Sequence, residues 1–169
     1  MVLLSYLQRF DTYCYCLCSG IRARPVAGRL AVWVSRSGDG YAYFAIALAS
    51  VLLNDSGTAY FKHLLLAFLI ELPIYWLLKS SFKRRRPSDL GLSLAALIVA
   101  SDKFSFPSGH TAAAFIFAGI THVHFPELGF VCYLWASAIG ASRVIVGVHF
   151  PSDILAGVLL AVLIWELML

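Results

Sequence analysis

The chain has 169 residues, 60% of them hydrophobic and only 13% charged, with a formal net charge of +4. That balance excludes a soluble globular enzyme and points to a single-domain integral membrane protein. The basic excess then speaks to membrane topology and an anionic ligand rather than to nucleic acid. No repeat, low-complexity tract or linker divides the chain. It reads as one domain, 1–169, with an N-terminal membrane-associated segment (1–40) and a helical core (41–169).

Residues 2–17 are apolar and aromatic but carry Arg9 and Asp11, both costly at mid-bilayer. They fit either an in-plane amphipathic helix or a poor first span. They lack a charged leader and a small-residue cleavage site, so a removable signal peptide is not expected. Cys14, Cys16 and Cys18 alternate, which on a helix spreads them around the axis, and apolar filling is their expected role; Cys132 reads as packing. Arg22, Arg24, Arg29 and Arg36 form a basic juxtamembrane segment. Ser37-Gly38-Asp39-Gly40 is a turn in which Asp39 is expected to cap the next helix.

Five apolar runs follow, at 41–53, 60–78, 111–123, 128–141 and 154–169. The expected fold class is all-α: a polytopic membrane helical bundle with five spans and a sixth N-terminal membrane or in-plane helix left open. Several runs are shorter than the roughly 20 residues of a full span, so the helices must extend into polar flanks. Glu71-Leu72-Pro73 predicts a kink, and a hydrogen bond to a neighbouring helix is the favoured role for Glu71. His63, His122 and His124 read as polar interface residues. The apolar segment 90–100 is too short to span and is expected in the interface near a site mouth.

Three stretches carry chemistry. In Arg143-x5-His149-x3-Asp153, Pro151 marks a helix start, which puts His149 and Asp153 one turn apart on one face. A carboxylate there can hold one imidazole nitrogen and leave the other free to attack an electrophile. Taken alone, the triplet is equally compatible with charges resting in a membrane interface. The second stretch, Pro107-Ser108-Gly109-His110, precedes an apolar run, with Ser108 as N-cap and free amides suited to an anion. The third is Lys79-x6-Arg86-Pro87. Threading the five runs back and forth brings all three stretches to one membrane face.

Together these motifs, from 79 to 153, resemble the three-part signature of the type-2 phosphatidic acid phosphatase superfamily, with no position departing from it. The resemblance implies a metal-independent, cofactor-free phosphatase acting on a lipid phosphate or diphosphate. The undecaprenyl diphosphate, phosphatidylglycerophosphate and phosphatidate classes stay open. It implies His149 as nucleophile forming a phosphohistidine, His110 as general acid, and Asp153 as the group orienting His149. Lys79, Arg86, Ser108, Gly109 and Arg143 are the implied phosphate ligands. Lys83, Arg84 and Arg85 are expected mainly at lipid headgroups. The partners expected are the bilayer and the lipid substrate, with no nucleic acid and no obligate protein. Two alternatives stand beside this: a vanadium-haloperoxidase-like oxidoreductase and a non-catalytic lipid-binding protein. The expected location is a bacterial inner membrane with the site facing the periplasm, although the positive-inside rule favours the opposite side.

Overall fold

The computed structural model describes residues 2–92 and 95–168. Met1, Ser93, Leu94 and Leu169 lie outside these residues, so the expected interfacial course of segment 90–100 and the end of the last apolar run are described only in part. Among the described residues the chain is all helical: α1 Val2–Arg22, α2 Pro25–Ser37, α3 Tyr41–Leu53, α4 Gly57–Phe82, α5 Gly109–His124, α6 Pro126–Ile145 and α7 Pro151–Glu166. Helices α3 to α7 coincide with the five apolar runs, extended by a few polar residues. Pro25, Pro126 and Pro151 begin α2, α6 and α7, where a missing N–H costs no hydrogen bond and the ring presets φ. α4 continues through Pro73.

α5 is the central helix. Its small residues Ala112, Ala114, Ala118 and Gly119 let α4, α6 and α7 pack closely around it. Tyr43 of α3 closes one side, its ring stacked on Phe117 at 4.9 Å and edge-on to Trp135 at 5.4 Å. Large apolar side chains cover the outer surface of α2, α3, α4, α6 and α7: Trp33, Leu52, Leu69, Trp76, Phe130, Leu159 and Leu163 are all exposed. α4 and α6 are long and apolar enough to cross a bilayer. A surface this apolar belongs in hydrocarbon, and the chain is an integral membrane protein.

Buried charge is concentrated at one end of the bundle: Asp11, Arg22, Lys79, Arg86, Arg143, His149 and Asp153 are all nearly inaccessible. The opposite end carries a histidine pair, His63 Nδ1 to His124 Nε2 at 2.8 Å.

The N-terminal forty residues differ from expectation. The arginine-rich stretch is itself a helix, α2, packed against α6. Arg22 does not lie at the lipid surface. It is buried, and it donates from Nε to the Ile145 carbonyl at 2.7 Å and from Nη1 to the Tyr15 hydroxyl at 2.9 Å. The chain passes over it at Gly147, whose φ of +93° and lack of a Cβ are both needed, since a Cβ there would sit 2.7 Å from the Arg22 guanidinium carbon.

Candidate active site

Lys79 lies in the last turn of α4, which ends when Lys83 adopts a left-handed conformation. Its buried ammonium donates to Asp102 Oδ1 and to the Phe104 carbonyl, both at 2.6 Å. Tyr75, one turn earlier, donates to Asp102 Oδ2 at 2.8 Å. Arg86 follows in extended backbone and donates to both the side chain and the carbonyl of Asp102. It also donates to the Val148 carbonyl at 2.7 Å. Asp102 is therefore the hub joining two of the three signature cations. Burial alone would raise its pKa; the hydrogen bonds from Lys79 and Tyr75 and the neighbouring charges outweigh that and hold it down at about 2.

The second stretch folds as its sequence dictates. Ser108 is the N-cap of α5, its Oγ accepting from the Thr111 N–H at 3.4 Å and lying 2.9 Å from the Thr111 hydroxyl. Its own N–H donates to the Asp153 carbonyl at 3.0 Å, which pins the start of α5 to the start of α7. Gly109 is required by Tyr75, because a Cβ would fall 2.7 Å from that ring. His110 opens α5 and pairs through Nε2 with Asp39 Oδ1 at 2.9 Å. This corrects the expected role of Asp39: Gly40 occupies the N-cap of α3 without a side-chain cap bond, and the Asp39 carboxylate is spent on His110.

The third stretch closes the site. Arg143, in the last turn of α6, donates from Nη1 to Ser35 Oγ at 2.6 Å, while its buried Nε has no partner among the described residues. His149 follows in the loop to α7 and is 2% exposed. Its Nδ1 lies 3.5 Å from Asp153 Oδ2, within ion-pair reach but not aligned as a hydrogen bond. Its Nε2 lies 3.4 Å from Arg86 Nη1. An arginine can only donate, so this contact favours the tautomer that keeps the proton on Nδ1, facing Asp153, and leaves Nε2 with its lone pair. Asp153 itself accepts from the Phe150 N–H at 2.8 Å and from Arg84 at 2.7 Å.

That last contact corrects the headgroup expectation for Arg84. Its guanidinium bridges Asp153 and, at 2.6 Å, Asp11 of α1, and it lies over the Phe150 ring at 4.4 Å. Asp11 also accepts the Ser152 N–H at 2.9 Å. Arg84 therefore acts as an internal strut, and Asp11, which looked expensive in lipid, is buried against it.

Burial depresses the His149 pKa to about 4, with Asp153 pulling the other way and Arg143 and Arg86 adding to the depression. The imidazole is then neutral through mildly acidic pH. The expected result is that histidine NMR of the detergent-solubilised protein finds one ring titrating well below 6.5 and lost in His149→Gln. If the resonance lost in His149→Gln titrates near 6.5, the burial is contradicted. Because the unfolded imidazole takes up its proton at the ordinary value, His149 adds stability above pH 6.5 that is lost as pH falls from 6.5 towards 4.

A cavity of about 910 Å³ opens beside the site, between α3 and α4. Gly109, His110 and Arg143 form its polar end, and Phe44, Leu64 and Phe68 belong to its apolar wall. Lys79, Arg86, Ser108 and His149 are not in that wall, and Asp102 holds the first two. Asp39, Asp102, Asp11 and Arg84 are the polar partners that sequence reasoning missed.

Fold and site together define a membrane-embedded helical bundle with a histidine–aspartate pair set among three cations at one end. The PAP2 superfamily matches residues 40–169, and the chain belongs to that family. It is 38% identical over 88 residues to a lipid A 1-phosphatase of Rhizobium johnstonii, a match covering 48% of this chain and 35% of that protein. The chain thus spans about a third of that relative's length. The fold superposes on a transmembrane PAP2-type phosphatidylglycerolphosphate phosphatase of Bacillus subtilis with a TM-score of 0.73 at 24% identity, covering 96% of this chain and 86% of that one. It superposes on Aquifex aeolicus LpxE with a TM-score of 0.73 at 27% identity and 93% of each chain.

Proposed function

We propose that the protein hydrolyses a membrane lipid phosphate or diphosphate without a metal, through a phosphohistidine on His149. The observation that supports this reading is Arg86, tied to Lys79 through Asp102, at 3.4 Å from the imidazole that Asp153 faces, with the Arg143 charge also acting on that ring. An incoming phosphate takes over Asp102's share of Lys79 and Arg86 and meets the unpartnered Nε–H of Arg143, so its negative charge is held by fixed donors. His149 Nε2 attacks phosphorus in line; a P–N bond forms as the bond to the leaving oxygen breaks. His110, held by Asp39, gives its proton to that oxygen. Water then attacks the phosphohistidine, His110 takes the water's proton, and the P–N bond breaks to free phosphate and the enzyme.

We place the site on the periplasmic face of a bacterial inner membrane. The basic residues oppose this placement less strongly than their number suggests. All Lys and Arg except Lys62 lie towards the site end or its N-terminal approach. Yet Lys79, Arg86 and Arg143 line the site, and Arg22 and Arg84 are engaged inside the bundle. These five need no cytoplasmic explanation.

The experiment is phosphate release by the purified protein from short-chain lipid phosphates. Activity is expected to persist in EDTA and to be inhibited by vanadate, which adopts the five-coordinate shape of the phosphoryl transition state. Activity lost in EDTA and restored by a divalent ion would overturn the metal-independent reading.

A further inference from the structure

Glu71 has no place in the mechanism above. It lies within α4, is 3% exposed, and neither hydrogen bonds nor pairs with any other described residue. The helix-to-helix hydrogen bond expected from the sequence is absent among the described residues. Glu71 instead lines the cavity beside the site. So does Tyr43 of α3, whose buried hydroxyl is likewise without a partner. An uncompensated carboxyl in an apolar wall is costly, and such groups inside membrane helices serve whatever enters.

Position defines what that is. Lys79, Tyr75 and Glu71 follow one another at intervals of four along α4, so they share one face. Glu71 is eight residues before Lys79, about 12 Å deeper along the axis by the helical rise. Tyr75, midway, already belongs to the Asp102 cluster. Beyond lie Phe44, Leu64 and Phe68, suited to hydrocarbon. A lipid whose phosphate sits at Lys79 and whose tail lies on those residues therefore places the atoms linking headgroup to tail near Glu71.

We infer that Glu71, with the Tyr43 hydroxyl, is a specificity subsite that recognises a hydrogen-bonding linkage in the substrate. It selects lipid phosphates whose tails are joined through an ester, amide or hydroxyl-bearing unit over polyprenyl phosphates, which are hydrocarbon from the first carbon. The assignment rests on the lipid phosphatase reading. A polyprenyl chain would leave both polar groups unpaired, and a site built around hydrogen-bonding groups discriminates strongly against analogues that lack them.

The test compares kcat/KM for three substrates: a dioctanoylglycerol phosphate, an N-acylglucosamine 1-phosphate and farnesyl phosphate. Glu71→Met is expected to lower the first or second by about 10- to 100-fold, the scale of an unsatisfied buried hydrogen bond, and farnesyl phosphate by less than about threefold. The substrate losing more identifies the linkage, ester or amide. Glu71→Gln, which keeps a donor and an acceptor, should restore most of the loss. Tyr43→Phe removes only a hydroxyl and should discriminate in the same direction, which covers the case of Glu71→Met failing to fold. Equal losses on all three substrates, or none in either variant, overturn the subsite while leaving the phosphatase reading intact. A wild type inactive on every lipid phosphate overturns both.

Discussion

His149→Ala is expected to abolish turnover, by about four orders of magnitude or more, while the protein remains folded. Loss on that scale is what removal of a covalent nucleophile produces in hydrolases, because the remaining groups can only stabilise a reaction that has lost its first bond-forming partner. Phosphate binding should fall far less. Lys79, Arg86 and Arg143 are held by Asp102, Val148 and Ser35, and although Arg86 also lies 3.4 Å from His149 Nε2, its hydrogen bonds to Asp102 and Val148 do not use the imidazole. The check is twofold. Radiolabelled lipid phosphate quenched in alkali should leave label on the wild type, as expected for an acid-labile phosphohistidine, and none on the variant. Steady-state phosphate release should show the rate loss. Label retained by His149→Ala would move the nucleophile elsewhere.

Asp153→Asn should cost roughly two to four orders of magnitude in kcat with little change in KM, the scale seen when the orienting aspartate of a serine hydrolase triad is neutralised. The structure explains why so small a change acts so strongly. The carboxylate serves the Phe150 N–H and Arg84 as well as facing His149 Nδ1. An amide has one acceptor oxygen for these three groups, and its NH2 must point at a donor. Either Arg84 loses its partner or the imidazole tautomer reverses, and a proton on Nε2 removes the attacking lone pair. Kinetics on a soluble short-chain lipid phosphate decide this. Near-normal kcat would show that His149 attacks without help from Asp153.

The fold and the motif residues were legible because each follows from local rules. Apolar runs mark α3 to α7, Pro151 marks the start of α7, and a four-residue step sets His149 opposite Asp153. What stayed hidden are partners with no local rule. His110 meets Asp39 across 71 positions, and Ser152 meets Asp11 across 141. Such pairs depend on how helices dock, and an isolated aspartate looks the same whether it caps a helix, faces water or holds a histidine. Arg84 was masked differently. In the run Lys83-Arg84-Arg85-Arg86 the four cations look alike, yet the left-handed turn at Lys83 sends them in different directions. Arg84 and Arg86 turn inward to separate carboxylates, while Arg85 donates to the exposed Asp89 carbonyl. Helix α2 was hidden because four arginines in and around it dominate its composition and obscure the small buried face of Gly28, Ala31 and Ser35.

The strut from Asp11 through Arg84 to Asp153 bears on how this protein could be recombined with its relatives. The family match begins at residue 40, so a segment cut at that boundary omits one of the two carboxylates that anchor Arg84. A chimera joined at that boundary would inherit Arg84 and Asp153 from one parent and whatever faces them from the other. The unit that must be exchanged whole is the first helix together with the three motifs. A graft should therefore carry Asp11 along with Arg84, or replace both.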